Sequence, residues 1–124
     1  YYCINGKVIK GAGRGKKLGF PTANLKTETQ YVLPPSGVYA TYVLLRGKRY
    51  RSITNFGNKP TFSDNVYSIE VHILDYANLE IYGENLSIEL IDFIRPEMTF
   101  NSSKELANQI KKDILYTDCL LCYN

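Results

Sequence analysis

Several residue types are absent or scarce in this sequence, which has no tryptophan, one histidine, one methionine and three cysteines among 124 residues. No apolar run approaches the roughly 20 residues that a membrane-spanning helix needs, and no signal peptide is visible. The net charge of +3 is far below the dense basic face that nucleic-acid binding usually requires. We therefore expect a cytoplasmic protein with no membrane or nucleic-acid partner. Its small positive charge weakly favours an anionic ligand.

The three cysteines are an odd number and too few to form a disulfide framework, so free thiols are expected. Cys119 and Cys122 form a Cys-x-x-Cys pair, which suits either a redox or metal site or ordinary packing of an apolar tail. A structural zinc site would need a second such pair, and the sequence has none.

The composition is that of one ordinary globular domain covering residues 1–124. Hydrophobic residues make up 44% and charged residues 22%, a balance that argues against disorder. Eleven tyrosines favour strands over helices. The chain opens in strand-like sequence without an initiator Met, so we expect it to be part of a longer protein.

Short segments of alternating apolar and polar residues predict strands joined by turns. In the longest of them, residues 67–76, the odd positions up to 73 fall on one face, whereas Glu70 and His72 fall on the other. The predicted strands cover residues 2–9, 38–45, 49–54, 67–76 and 86–93, and turns are predicted at residues 34–37, 46–48, 55–61 and 82–85.

The sequence changes its period after residue 100. Ser102 followed by Glu105 offers a helix-capping box, although Ser103 could shift the cap by one position. Leu106, Ile110 and Ile114 then recur every four residues on one helical face. Five or six strands followed by one C-terminal helix predict a mainly β fold, an antiparallel barrel rather than a parallel sheet.

A glycine-rich segment follows the first predicted strand and is a candidate anion site. Four of the nine residues from Gly11 to Gly19 are glycine, so this segment is a loop. Its main-chain N–H groups could point together at an anion, with basic side chains from Arg14 and two lysines nearby. The spacing is not that of a Walker A loop or of the dinucleotide fingerprint. Glycines alone fit a plain loop equally well.

Thr22 and Asn24 follow this loop and are two residues apart, so in extended chain they face the same side. A hydroxyl and an amide carbonyl are hard oxygen ligands suited to Mg²⁺. A polar turn with local hydrogen bonds is the simpler interpretation of these two residues alone.

Taken in order, these segments resemble riboflavin kinases. The run from Gly11 to Asn24, Gly-x-Gly-Arg-Gly-x-x-Leu-Gly-Phe-Pro-Thr-Ala-Asn, is similar to the signature of that family. The resemblance covers nearly the whole chain. Further matching segments are Gly37-Val38-Tyr39-Ala40, Asn55-Phe56-Gly57-x-x-Pro60-Thr61-Phe62, Glu70-Val71-His72-Ile73-Leu74-Asp75-Tyr76, Tyr82-Gly83 and Arg95-Pro96-Glu97-x-x-Phe100.

The resemblance implies a six-stranded antiparallel Greek-key barrel with a C-terminal α-helix. It also implies a transferase that moves the γ-phosphate of Mg·ATP to the ribityl 5′-hydroxyl of riboflavin, giving FMN and ADP, with Mg²⁺ as the cofactor. In bacteria such a domain is usually the C-terminal half of a bifunctional enzyme whose N-terminal FMN adenylyltransferase makes FAD. This chain alone is therefore expected to stop at FMN.

The resemblance assigns roles to named residues. Glu70 is the expected catalytic base, because a primary hydroxyl needs a group that accepts its proton; on position alone a surface glutamate is the simpler interpretation. His72 is expected to position groups or to be a structural histidine. The expected ATP-binding residues are Gly11, Gly13, Gly15, Lys16, Lys17, Thr22, Asn24, Ile73, Asp75 and Tyr82, with Thr22 and Asn24 also binding the metal, and the expected flavin-binding residues are Arg95, Met98 and Phe100.

Two other functions fit parts of the sequence. A barrel could bind a flavin or nucleotide without phosphorylating it, or it could be a regulatory domain of a larger flavin enzyme with a decayed site. A pure binding module needs no base, and Glu70, Thr22 and Asn24 argue against decay. Formation of FMN from ATP and riboflavin separates these functions from a kinase.

Overall fold

The structure, a computed structural model, describes residues 2–9, 22–26, 34–60, 65–74, 81 and 83–121. Six strands precede one helix. They are β1 (Tyr2–Ile9), β2 (Ala23–Lys26), β3 (Gly37–Leu45), β4 (Lys48–Pro60), β5 (Asn65–Ile73), β6 (Asn85–Arg95) and α1 (Ser103–Leu121).

The strands close into a barrel in the order β1-β2-β5-β4-β3-β6, and β6 pairs with β1 to complete it. Every neighbouring pair is antiparallel. Strands β3, β4 and β5 lie side by side in chain order and β6 returns beside β3, which is the Greek-key arrangement. The predicted six-stranded antiparallel barrel with a C-terminal helix is confirmed.

Alternate residues of each strand fill the barrel interior, as the period-two pattern predicts. In β5, Ile69, Val71 and Ile73 are at most 2% exposed and belong to the main core. The side chains between them, including Glu70, therefore lie on the outer face of the barrel. Three hydroxyls also lie inside, where Thr41 Oγ1 is 2.7 Å from Ser52 Oγ and 2.8 Å from Thr54 Oγ1. They satisfy one another in the apolar interior.

The predicted hairpin between β3 and β4 is present. Leu45 pairs with Lys48, so the loop has two residues, and both Arg46 and Gly47 have positive φ angles of 52° and 78°. Positive φ at both positions is the backbone of the tight turn that matches the twist of the flanking strands.

Three predicted boundaries differ from the structure. The short strand β2 was not among the predicted strands, and β4 continues as strand through residues 55–60, where a turn was predicted. Strand β5 ends at Ile73, before the predicted end at residue 76. In the first two cases pairing with β5 holds the segment extended, and such long-range pairing is not visible in local residue preferences.

Among the glycines that the structure describes, Gly37 at the start of β3 is the one least able to accept a side chain. Its φ is 149°, and a Cβ there would lie 2.7 Å from Phe93 Cε1 and 2.9 Å from the Arg95 carbonyl oxygen. We expect Gly37→Ala to lower the free energy of unfolding by roughly 2–4 kcal/mol, as backbone strain and overpacking add. Urea unfolding measures this loss. Gly83→Ala is the control, since it has positive φ but nothing within 4 Å, and an equal loss in both variants would contradict the steric argument.

Helix α1 begins at a side-chain cap. The main-chain N–H of Glu105 donates to Ser102 Oγ (3.2 Å), which makes Ser102 rather than Ser103 the cap. The Glu105 carboxylate accepts from the Asn101 N–H at 3.0 Å. In a capping box this carboxylate would accept from the main-chain N–H of Ser102. Here it accepts instead from the residue that precedes the cap.

One apolar contact and several polar contacts along α1 fix the helix to the outer face of the barrel. Ile114 packs against the small core of Val38, Ile53 and Leu74. The helix end is held by the Tyr42 hydroxyl, which donates to the Leu121 carbonyl at 3.1 Å. The other contacts join Arg51 to Asp118 (2.8 Å), Tyr116 to Asp92 (2.7 Å) and Arg95 to Asp113 (2.9 Å).

Across the described ranges, no helix is both long and apolar enough to cross a membrane.

Candidate functional site

A cavity of about 730 Å³ lies outside the barrel, between the outer faces of β4 and β5, the connection from β6 to α1, and the first turns of α1. The strands form one wall of the cavity, and the β6–α1 connection together with α1 forms the other. The lining residues are Thr22, Val38, Ile53, Asn55, Glu70, His72, Arg95, Glu97, Met98, Thr99, Phe100, Asn101, Ser102, Ser103, Leu106, Ile110 and Asp113.

One row of directly opposed residues crosses five strands on this outer face. Asn24 of β2 is opposite Glu70 of β5, and Glu70 is opposite Asn55 of β4. Asn55 is opposite Val38 of β3, and Val38 is opposite Arg95 of β6. We call these five residues the cross-strand row. Neighbouring strands are about 4.8 Å apart, so the row places a carboxylate between two amides at one end and a guanidinium at the other.

Glu70 occupies the outer face that the sequence predicted for it, and it lines the cavity. Its neighbours along the chain, Ile69 and Val71, are buried inside the barrel. Its neighbours across the sheet, Asn24 and Asn55, are neutral. A carboxylate in this setting can accept a proton from a hydroxyl that enters the cavity, although its role as a base stays a prediction.

Arg95 is held by a buried acid. Its Nε is 3.0 Å from Asp113 Oδ1 and its Nη2 is 2.9 Å from Asp113 Oδ2, so the pair is bidentate. The Asp113 side chain is 4% exposed and the Arg95 side chain 14%. Gln109 Nε2 also donates to Asp113 Oδ1, at 3.1 Å. These bonds fix the orientation of the guanidinium at the cavity wall.

The predicted flavin-binding residues meet at this end of the cavity. The Arg95 guanidinium carbon is 5.9 Å from the centre of the Phe100 ring. Met98 lines the same cavity and is 48% exposed. A cation, an aromatic ring and a polarizable thioether together suit a flat, conjugated ligand.

The predicted phosphate end is described only in part. Gly11, Gly13, Gly15, Lys16, Lys17, Asp75 and Tyr82 lie outside the described residues. Thr22 lines the cavity, and Asn24 stands opposite Glu70. The side chain of Ile73 is 1% exposed in the barrel core, and its place beside the nucleotide stays a prediction. Ile73 can offer a nucleotide only main-chain atoms.

The oxygen donors near Glu70 suit a hard cation. Thr22 supplies a hydroxyl and Asn24 an amide oxygen, and Asn24 is opposite the carboxylate of Glu70. Mg²⁺ in proteins takes few protein ligands and completes its shell with water and phosphate oxygens. The donor set therefore fits an ion that arrives with a polyphosphate. Of the residues described, no group of three or more His, Cys, Asp or Glu could hold a metal by itself.

Asp113 and Asn55 are among the cavity residues to which no role in the site was assigned from the sequence. Asp113 adjoins the predicted apolar face of α1, beside Ile110 and Ile114. An acidic residue beside the buried face of a helix is expected to have a cationic partner, because buried charges are nearly always paired. This pattern was the signal in the sequence that could have identified Asp113. Asn55 belongs to a matching segment but received no role. Its place beside Glu70 depends on the pairing of β4 with β5, which the sequence does not display.

His72 also lines the cavity, on the same face of β5 as Glu70. Of the Cys-x-x-Cys pair, Cys119 is exposed near the end of α1 and does not line the cavity, and Cys122 is outside the described residues.

The chain is similar to known proteins in its sequence and in its fold. The family model "Flavokinase: Riboflavin kinase" matches residues 1–121. The chain is 45% identical over 115 residues to the bifunctional riboflavin kinase/FMN adenylyltransferase of Bacillus subtilis, covering 90% of this chain and 36% of the relative. It is 39% identical over 115 residues to the protein of that name from Escherichia coli, covering 92% and 36%. The chain thus spans about a third of the length of the curated relatives it matches.

Two solved structures share the fold. The crystal structure described as a macrolide-efflux protein from Streptococcus pneumoniae superposes with a TM-score of 0.89 at 35% identity, covering 93% of this chain and 38% of that one. The riboflavin kinase of Trypanosoma brucei superposes with a TM-score of 0.67 at 23% identity, covering 96% and 78%. The second likeness is one of fold.

Proposed function

Because this chain belongs to the riboflavin kinase family, we propose that it transfers the γ-phosphate of ATP to the ribityl 5′-hydroxyl of riboflavin, giving FMN and ADP. The observation that carries the proposal is the cross-strand row. It presents a carboxylate between two amides at one end of a cavity and an oriented guanidinium beside an aromatic ring at the other. A flavin with a polyol chain has matching chemistry at its two ends.

In the proposed reaction the oxygen of the 5′-hydroxyl forms a bond to the γ-phosphorus, and the bond from that phosphorus to the bridging oxygen of ADP breaks. Glu70 accepts the hydroxyl proton as the new bond forms. Phosphoryl transfer has a loose transition state, so the protein contributes mainly by positioning and by neutralising charge. The outer face of β5 aims Glu70 at the cavity, and Arg95 with Phe100 holds the ring end.

The remaining parts of the proposal concern ATP. Thr22 and Asn24 would hold Mg²⁺, which neutralises phosphate charge when it is bound. We assign the phosphates to the glycine loop, with Gly11, Gly13, Gly15, Lys16 and Lys17, and the nucleotide also to Asp75 and Tyr82. Since the curated relatives are named as bifunctional, we further propose a cytoplasmic enzyme that carries an FMN adenylyltransferase as its second activity.

The deciding experiment incubates the chain with riboflavin, ATP and Mg²⁺ and separates the flavins by chromatography. We expect FMN and ADP in equal amounts and no FAD, with no product when ATP is omitted. Tight flavin binding without FMN formation would favour the non-catalytic barrel instead. FAD formation by this segment would contradict the expectation that it stops at FMN.

Thr22→Ala and Asn24→Ala should weaken the use of Mg·ATP more than the binding of riboflavin. Each removes one oxygen donor, and a loss of at least roughly 10- to 100-fold in kcat/KM for Mg·ATP is expected, since even a residue that only supports a metal ligand contributes that much. Steady-state kinetics at varied Mg·ATP and fluorescence titration with riboflavin measure the two effects separately. Thr22→Ser and Asn24→Asp keep an oxygen donor and serve as controls. Equal losses for both ligands would indicate a folding defect.

A further inference from the structure

Asn55 occupies the middle of the cross-strand row and lines the cavity. It stands opposite Glu70 on one side and opposite Val38 on the other, and Val38 is opposite Arg95. With strands about 4.8 Å apart, Asn55 is one strand from the carboxylate and two strands from the guanidinium. Anything that joins a group at Glu70 to a ring at Arg95 must pass over Asn55.

The side-chain amide oxygen of Asn55 lacks a hydrogen-bond donor among the residues that the structure describes. Asn55 Oδ1 is buried and accepts no hydrogen bond within the described part of the protein. Buried polar atoms in folded proteins are nearly always paired, and each exception calls for an explanation. Because Asn55 lines the cavity, a small rotation of its side chain would let a hydroxyl of the bound substrate supply the missing hydrogen.

The proposed reaction identifies that hydroxyl. If the 5′-hydroxyl meets Glu70 and the ring lies towards Arg95, the part of the ligand over Asn55 is the ribityl chain next to the reacting carbon. Its group nearest to the 5′-hydroxyl is the secondary 4′-hydroxyl, which is a hydrogen-bond donor. We propose that Asn55 Oδ1 accepts a hydrogen bond from the ribityl 4′-hydroxyl, so that Asn55 selects flavins with this hydroxyl. This inference rests on the proposed function.

The test is a cycle of two enzymes and two flavins, riboflavin and 4′-deoxyriboflavin. The unsubstituted protein should use the deoxy analogue roughly 10- to 100-fold less well in kcat/KM, because the analogue leaves the buried oxygen unpaired. Asn55→Ala should lose a similar factor with riboflavin and use the two flavins within about 3-fold of each other, the signature of one shared interaction. Asn55→Leu, which keeps the branched shape and the number of side-chain heavy atoms, should behave in the same way.

Three further measurements separate a specific bond to the 4′-hydroxyl from a general effect of the substitution and from failure of the proposed kinase activity. Asn108→Ala, on the exposed side of α1, should keep the full discrimination. 2′-Deoxyriboflavin should show no coupling to Asn55. Fluorescence titrations of both flavins report the same cycle at equilibrium, so the inference stays testable if no FMN forms and the proposed function fails. Discrimination against 4′-deoxyriboflavin that is unchanged in both Asn55 variants would overturn the inference, as would a change confined to the Mg²⁺ dependence.

Discussion

Replacing Glu70 by glutamine should lower the turnover for FMN formation by roughly 10²–10⁴, the range expected when a positioned proton acceptor is removed. Glutamine keeps the size of the side chain and its place opposite Asn24 and Asn55. It cannot take a proton from the hydroxyl at neutral pH. We expect the KM for riboflavin to change far less than kcat, which is measured by steady-state FMN formation.

Glu89→Gln is the matched control for Glu70→Gln. Glu89 is a half-buried glutamate on another strand of the same barrel, paired with Arg49 at 2.9 Å, and it does not line the cavity. Its substitution should leave turnover within about 2-fold, because a surface pair contributes little. Near-normal turnover of Glu70→Gln would show that Glu70 is not the proton acceptor. The proposed kinase activity would still stand, because the variant would form FMN.

Asp113→Asn should lower the free energy of unfolding by roughly 3–5 kcal/mol, since it leaves the guanidinium of Arg95 buried without a counter-charge. The pair is nearly enclosed, with side-chain exposures of 14% for Arg95 and 4% for Asp113. Urea unfolding followed by circular dichroism measures the loss. Riboflavin binding should weaken as well, because the bidentate ion pair no longer orients the guanidinium beside Phe100.

Two variants check the origin of that loss. Asp118→Asn breaks the more exposed pair with Arg51, in which the side chains are 41% and 30% exposed, and should cost about 1 kcal/mol or less. Replacing both partners, with Arg95→Met and Asp113→Leu, should restore most of the stability because no charge stays buried. It should not restore riboflavin binding. A stable Asp113→Asn protein would show that the pair is not needed for the fold.

The fold was predictable from the sequence where the signal is local. Alternation placed Ile69, Val71 and Ile73 inside the barrel and Glu70 outside, as the burial of β5 shows. A hairpin connection at residues 46–48 was also foreseen from turn chemistry, and the structure shortens it to the two residues Arg46 and Gly47. Such features need only neighbours along the chain, so a single sequence carries them.

The site was less predictable because its parts meet through pairing between distant strands. Nothing in the residues near Asn55 shows that β4 extends to Pro60 or that Asn55 faces Glu70. The pairing of Arg95 with Asp113 likewise depends on how α1 packs on β6. Ile73 was expected beside the nucleotide, but the register of β5 turns its side chain into the core.

The cross-strand row has one further consequence. Its members are numbered 24, 38, 55, 70 and 95, one from each of five strands, so only a segment that includes residues 24–95 carries the complete row. A flavin lying from Glu70 to Arg95 crosses β5, β4, β3 and β6, and separating any of these strands must first release it. Occupancy of the cavity should therefore slow amide exchange in these four strands, and loss of one of their pairings should abolish flavin binding as a whole.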